Sequence, residues 1–148
     1  MLNRLQGVFA SFHSHDVRYV VIGGIAAVLH GVPRATFDLD ILIEASLENA
    51  TKLLRALEEA GLGTALLTTP AELLRSEITV FNDRVRIDVL TWTPGLKFGD
   101  AWSHRQTMQY GAQDFFVASL SDLIASKKAA GRPRDLEDVR LLEQRKGT

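Results

Sequence analysis

The sequence predicts an α/β fold, of the α+β kind, in which a small mixed sheet is flanked by helices and two further helices close the chain. Three observations carry this. Segments with apolar residues at helical spacing alternate with short β-branched runs; the stretch "EITVFNDRVRIDVLT" alternates like a hairpin; and two helical segments follow one another at the end. With 148 residues and 46% hydrophobic side chains, the chain is about one domain long. No repeat, low-complexity tract or linker divides it, so one domain is expected over residues 1–148, with a core over about 1–117 and a helical pair over about 118–146.

The elements follow in order. "LNRLQGVFASF" places Leu2, Leu5, Val8 and Phe12 at helical spacing. "RYVVIGG" is a β-branched and aromatic run ending in glycines, which reads as a buried strand entering a tight turn, and "IAAVLHG" has the composition of a short helix. "FDLDILIE" predicts the next strand. "SLENATKLLRALEEAG" predicts a helix with Ser46 as N-cap and Gly61 as stop. The hairpin is expected to turn near Asn82-Asp83, and "TMQYGAQDFFVA" reads as a second one. The closing helices are "SLSDLIASKKAAG" and "PRDLEDVRLLEQRK", with Pro133 in a first turn, where its missing N–H costs nothing.

Charge and composition narrow the function. The 17 Lys and Arg balance 18 Asp and Glu, so no global charge points to nucleic acid or to a membrane. Residues 127–146 nevertheless hold seven basic and four acidic residues, which leaves 10 basic against 14 acidic elsewhere. A basic end thus faces an acidic remainder. The absence of cysteine rules out disulfides and thiolate chemistry and fits a reducing compartment. The N-terminus lacks the unbroken apolar core of a signal peptide, and the run from Tyr19 to Val32 is too short and glycine-broken to span a bilayer. A cytoplasmic protein without membrane association is expected.

The segment "VVIGGIAAVLHGVPRATFDLDILIE" sets two glycines, an arginine and two aspartates into apolar surroundings. Side chains alternate on a strand, so Asp38 and Asp40 share a face while Leu39, Ile41 and Ile43 take the other. The same alternation in "RVRIDVL" sends Val85, Ile87 and Val89 to the core and Arg84, Arg86 and Asp88 to the opposite face. If the two strands are neighbours, Asp88 becomes a third carboxylate. Crowded carboxylates repel unless a cation is supplied, and three hard oxygen donors without His or Cys suit Mg²⁺ or Mn²⁺ and not zinc. Gly23-Gly24 would let a phosphate approach the backbone at a helix start, with Arg34 and Thr36 adding a cation and a hydroxyl. Taken singly, the glycines read as a plain turn and the aspartates as a solvated face. The combination is the informative signal.

Those residues resemble the nucleotidyltransferase superfamily with the DNA polymerase β-like fold, whose pattern is a hydrophobic strand, Gly-Gly or Gly-Ser, a short helix, Asp-x-Asp and a third carboxylate on a neighbouring strand. Gly23, Gly24, Asp38, Asp40 and Asp88 match it. "GGIAAVLHGVPRATFDLDI" is similar to the small bacterial branch related to abortive-infection and toxin–antitoxin nucleotidyltransferases, where Arg-x-Thr commonly precedes the aspartates; "LIASKKAAGRPRDLEDVRLL" resembles that branch's C-terminal motif. The resemblance implies transfer of a nucleoside monophosphate from a nucleoside triphosphate to an acceptor, with two Mg²⁺ ions held by Asp38, Asp40 and Asp88. Gly24 stands where many members carry a serine. The chain also lacks room for the larger acceptor-binding domain of longer relatives, so a partner, antitoxin or toxin, or a second copy of the chain would complete acceptor recognition. The acceptor itself, whether tRNA, protein or small molecule, is left open, as is the base of the nucleotide.

Lys127 lies on the apolar stripe of Leu120, Leu123 and Ile124 and therefore points inward. Either its amine reaches water or a structural carboxylate, or it contacts a nucleotide phosphate. Arg34 could instead pair with Asp38. Arg132 and Arg134 read as a solvated helix start, with Asp135 and Glu137 favouring the first-turn dipole. The four histidines lie apart, His30 being nearest the motif; Trp92 and Trp102 read as packing, with Trp92 close enough to Asp88 to border a nucleotide. Two other readings stand beside an enzyme: a nucleotide-binding or antitoxin module without turnover, and an unrelated α/β domain with an acidic patch.

Overall fold

The computed structural model describes residues 2–146. Helix α1 (Leu2–Ser14) leads through Asp16 into strand β1 (Tyr19–Ile22), and helix α2 (Gly23–Leu29) starts on the next residue. The two glycines are therefore the first turn of α2 and not a turn ahead of it. Strand β2 (Leu39–Ile43) precedes α3 (Leu47–Glu59), where Ser46 accepts the N–H of Asn49 and Gly61 adopts a left-handed φ of +91° just past the end.

A 3-10 turn (Gly63–Leu67) and helix α4 (Pro70–Arg75) come next, then strands β3 (Ile78–Asn82) and β4 (Arg86–Leu90). Helix α5 (Phe98–His104), the hairpin of β5 (Gln106–Tyr110) and β6 (Gln113–Val117), and helices α6 (Leu120–Ala130) and α7 (Pro133–Lys146) complete the fold. The 3-10 turn, α4 and α5 have no counterpart in the sequence reading.

All six strands form one mixed sheet in the order β3-β4-β2-β1-β6-β5. Pairing is antiparallel between β1 and β2 and parallel between β2 and β4. The β2–β4 register sets Asp40 opposite Asp88. Leu39, Ile41 and Ile43 are fully buried on the other face with Leu53 and Leu57 of α3. An aromatic cluster fills the far half of the sheet, with Phe9 stacked on Phe115 at 4.6 Å and Phe12 against Tyr19 at 4.8 Å. Strand β2 is apolar on both faces except at Asp40, because Leu42 is also buried. A carboxylate in that position is costly unless something compensates it.

Arg84 departs from the expected alternation. It belongs to the loop between β3 and β4, and its guanidinium donates to the Ala60 carbonyl at the end of α3, so only Arg86 and Asp88 face the site. Among the described residues no helix is long and apolar enough to cross a membrane.

Candidate active site

One cavity of about 440 Å³ is lined by all eight residues singled out in the sequence: Gly23, Gly24, Arg34, Thr36, Asp38, Asp40, Asp88 and Lys127. Its acidic wall comes from the start of β2 and the middle of β4. The opposite wall comes from the Arg34 loop and the junction of α6 and α7.

The acidic wall is electrostatically strained. Asp40 and Asp88 are in register and share a hydrogen bond, so one carboxyl must hold a proton or a cation must intervene. Burial, then the charges of Asp88 and Asp38, push the Asp40 carboxyl up to about 7, while Lys127 pulls weakly the other way. Asp38 stands apart. Arg86 bridges it to Asp88, with Nε 3.0 Å from Asp88 Oδ1 and 3.8 Å from Asp38 Oδ2, and Nη2 donates to Asp88 Oδ2 at 3.3 Å. The bond and charge of Asp88, with the charge of Asp38, raise the Arg86 pKa above its usual value. Among the described residues no three acidic or histidine side chains are gathered closely enough to hold an ion as they stand. The donor set nevertheless suits a hard divalent cation: oxygen only, mutually repelling, and partly buried.

The glycines are explained by close approach. Gly23 has φ +72°, and a Cβ there would collide with Asp40 Oδ2. Only glycine lets the backbone pass beneath that carboxylate. A Cβ on Gly24 would sit 3.0 Å from Thr36 Oγ1 and 3.3 Å from Arg34 Nη2, so a serine would be crowded where this chain places a threonine hydroxyl. Gly23→Ala is expected to cost about 1–3 kcal/mol through its left-handed backbone and displaced carboxylate, measurable by urea unfolding, whereas Gly7→Ala, with open space around it, should be close to neutral or stabilising. Equal stability of Gly23→Ala and wild type would show that the contact with Asp40 is loose.

The cationic wall is a buried ion network. Lys127, 5% exposed, sits 2.8 Å from Asp138 Oδ2 and 3.6 Å from Asp135 Oδ1. Structural carboxylates thus receive its amine. Arg34 pairs with Asp138 at 2.7 Å and not with Asp38, and its Nε is buried without a partner. Arg132 donates from both backbone and side chain to Asp135. Burial alone would raise the Asp135 pKa; Arg132 and Lys127 hold it below the usual carboxylate value. Asp135 is therefore a buried ion-pair partner at the α7 start, more than a surface charge on its dipole. Three cations meet two anions, and Arg134 adds a further positive charge to the cavity rim.

The sequence reading missed Asp138 and the bridging role of Arg86. An Asp three residues beyond Asp135 on the same helix face, below an inward lysine, was the available signal. His30 is spent on the Ala118 carbonyl at 2.8 Å and lies outside the cavity. Trp102 packs under Arg105 at 3.7 Å, and Trp92 lines an adjoining cavity that shares Thr93 with the first.

Residues 3–144 match the sequence profile of a family described as "Nucleotidyltransferase of unknown function (DUF6036)". The chain belongs to that family. Its fold is also similar to the crystal structure of a Thermotoga maritima protein described as a "putative nucleotidyltransferase", with a TM-score of 0.62 over 97% of this chain and 92% of that one. The two are 17% identical, so the likeness is one of fold. No curated protein matches the chain. For this DUF6036 nucleotidyltransferase, the fold expected from the resemblance is the fold observed.

Proposed function

We propose that the protein moves a nucleoside monophosphate from a nucleoside triphosphate to an acceptor hydroxyl. The observation that carries this reading is the polarity of one cavity: Asp38, Asp40 and Asp88 face Lys127, Arg34 and Arg132 across it. A metal-bound triphosphate is complementary to both walls. Asp38, Asp40 and Asp88 would hold the ion. Bound there, Mg²⁺ or Mn²⁺ would lower the pKa of the acceptor hydroxyl and neutralise the leaving pyrophosphate.

The chain's own groups account for the remainder. The orphaned Arg34 Nε is a donor awaiting an oxygen, and the Thr36 hydroxyl and Arg34 Nη2 both lie against Gly24. Lys127 and Arg132 supply positive potential where the β- and γ-phosphates would lie. As the acceptor oxygen bonds to the α-phosphorus, the bond to the bridging oxygen breaks and its electron pair leaves with pyrophosphate. The hydroxyl proton passes to Asp88 or to water.

Purified protein incubated with each labelled nucleoside triphosphate, Mg²⁺ and a cell extract is expected to label one class of macromolecule or small molecule. Binding of a triphosphate without label in any fraction would favour the alternative of a nucleotide-binding or antitoxin/regulatory module. Arg86, an internal cation between Asp38 and Asp88, is the observation on that side. Absence of both binding and label would remove the nucleotide reading altogether.

A further inference from the structure

Two cavities meet at Asp38. The first holds the acidic and cationic walls. The second, about 230 Å³, opens at the end of the sheet where β2 and β4 begin, and Arg4, Phe37, Arg84 and Arg86 line it with Asp38. We propose that this second cavity is the acceptor subsite and that the acceptor carries a phosphate, received by Arg4 and Arg86, with the Phe37 ring as its apolar platform. The proposal rests on the nucleotidyltransferase reading of the first cavity.

Reaction geometry gives the direction. In-line displacement needs the nucleophile on the side of the α-phosphorus opposite the leaving group. The leaving pyrophosphate belongs with the cationic wall of Lys127, Arg34 and Arg132, so the acceptor enters from across the carboxylates. The cavity at Asp38 is what lies there.

Its lining supplies the chemistry. Phe37 is 78% exposed although it sits between Thr36 and Asp38, both of which line the first cavity. A single exposed ring is ordinary, but this one stands at the mouth of an arginine-lined cavity, as a stacking platform would. The Arg4 side chain, on the first turn of α1, has no hydrogen bond or ion pair to any other described residue. Asp83, the other acid of the cavity, is committed to the backbone N–H groups of Thr64 and Arg84. Among the described residues, the Arg86 side chain pairs with Asp88 and Asp38 alone. Once those carboxylates are neutralised by their own ligand, the guanidinium is released towards the second cavity, where a phosphate is the natural bidentate partner. Ligand-free, Arg86 offsets part of the charge of the acidic wall; loaded, it turns to the acceptor.

The test uses the full chain with the first cavity filled by a non-hydrolysable α,β-methylene nucleoside triphosphate and Mg²⁺. Inorganic phosphate, ribose 5-phosphate and the dinucleoside monophosphate uridylyl-uridine are then titrated calorimetrically against wild type, Arg4→Ala and Phe37→Ala. Arg4→Ala is expected to weaken every phosphate probe at least about fivefold. Phe37→Ala should weaken uridylyl-uridine by at least about fivefold and leave inorganic phosphate unchanged, because only a base stacks. Tight uridylyl-uridine binding identifies a polynucleotide end as the acceptor, and tighter ribose 5-phosphate a phosphorylated small molecule. Affinity for the triphosphate analogue should be the same in all three proteins. If no phosphate probe binds wild type, or all bind the variants equally, the acceptor subsite is overturned while the nucleotide reading stands. Failure of the analogue itself to bind takes both down.

Discussion

Lys127→Met is expected to destabilise the protein by about 3–5 kcal/mol, the range for removing one partner of a buried ion network. The replacement is near in volume, so the loss is electrostatic: Asp138, 2% exposed, keeps only Arg34, and Asp135, 3% exposed, keeps only Arg132. Adding Asp138→Asn to Lys127→Met should recover part of the loss by removing the uncompensated charge. Because the Asp135 pKa is lowered from 3.8, its contribution is fully present above about pH 4 and disappears as pH falls through the lower folded value. Urea unfolding of the single and double variants at neutral pH measures the effect. A loss below about 1 kcal/mol for Lys127→Met would mean that water reaches the network and that the cationic wall is not preorganised.

The second large effect belongs to Asp40. Asp40→Asn should reduce nucleotidyl transfer by about a thousandfold or more, as expected when a charge central to a metal-dependent site is removed. The same exchange should stabilise the ligand-free protein at pH 8. With a folded pKa of about 7 against 3.8, Asp40 prefers its protonated form in the fold. Its favourable contribution is complete below about pH 4, declines as pH rises, and is lost above about pH 7; the full span is on the order of 4 kcal/mol. Wild type in a chelator should therefore lose stability between those limits, and Asp40→Asn should show a flatter profile. Thermal unfolding from pH 4 to 8 alongside the transfer assay decides the matter. Retained transfer, or a variant less stable than wild type at pH 8, would mean that Asp40 serves the fold and not the chemistry.

Period-two alternation was sufficient to place Asp38, Asp40 and Asp88 around one cavity, because each lies in or next to a strand whose core-facing residues are unambiguous. Lys127 was legible as inward-pointing from its helical stripe. Its partners were not, since nothing local connects a lysine on α6 with an aspartate on α7 and an arginine before β2. Arg34 shows the same limit: Asp38 is its neighbour in sequence, yet the fold delivers Asp138. Helix α4 left a readable cap, Thr69 followed by Pro70 and Glu72, with Thr69 accepting the Glu72 N–H, whereas α5 has no side-chain cap to announce it. Arg86 was assigned its face correctly, but its bridge between two carboxylates depends on distances that alternation does not supply.

The parallel pairing of β2 with β4 also bears on how the site comes into being. Hairpins can close within microseconds from neighbouring residues, whereas β2 must wait for β4 across an intervening helix pair, and Arg34 meets Asp138 across 104 positions of chain. The acidic pair can form once the chain has been made through Leu90; the counter-wall arrives only with α7, 43 or more residues later in chain order than that strand. Partly folded chains therefore hold the crowded carboxylates with Arg86 as their local counter-charge but without the opposing cationic wall, so the two-walled charge pattern that suits a ligand appears late, in the same cooperative event that docks α7.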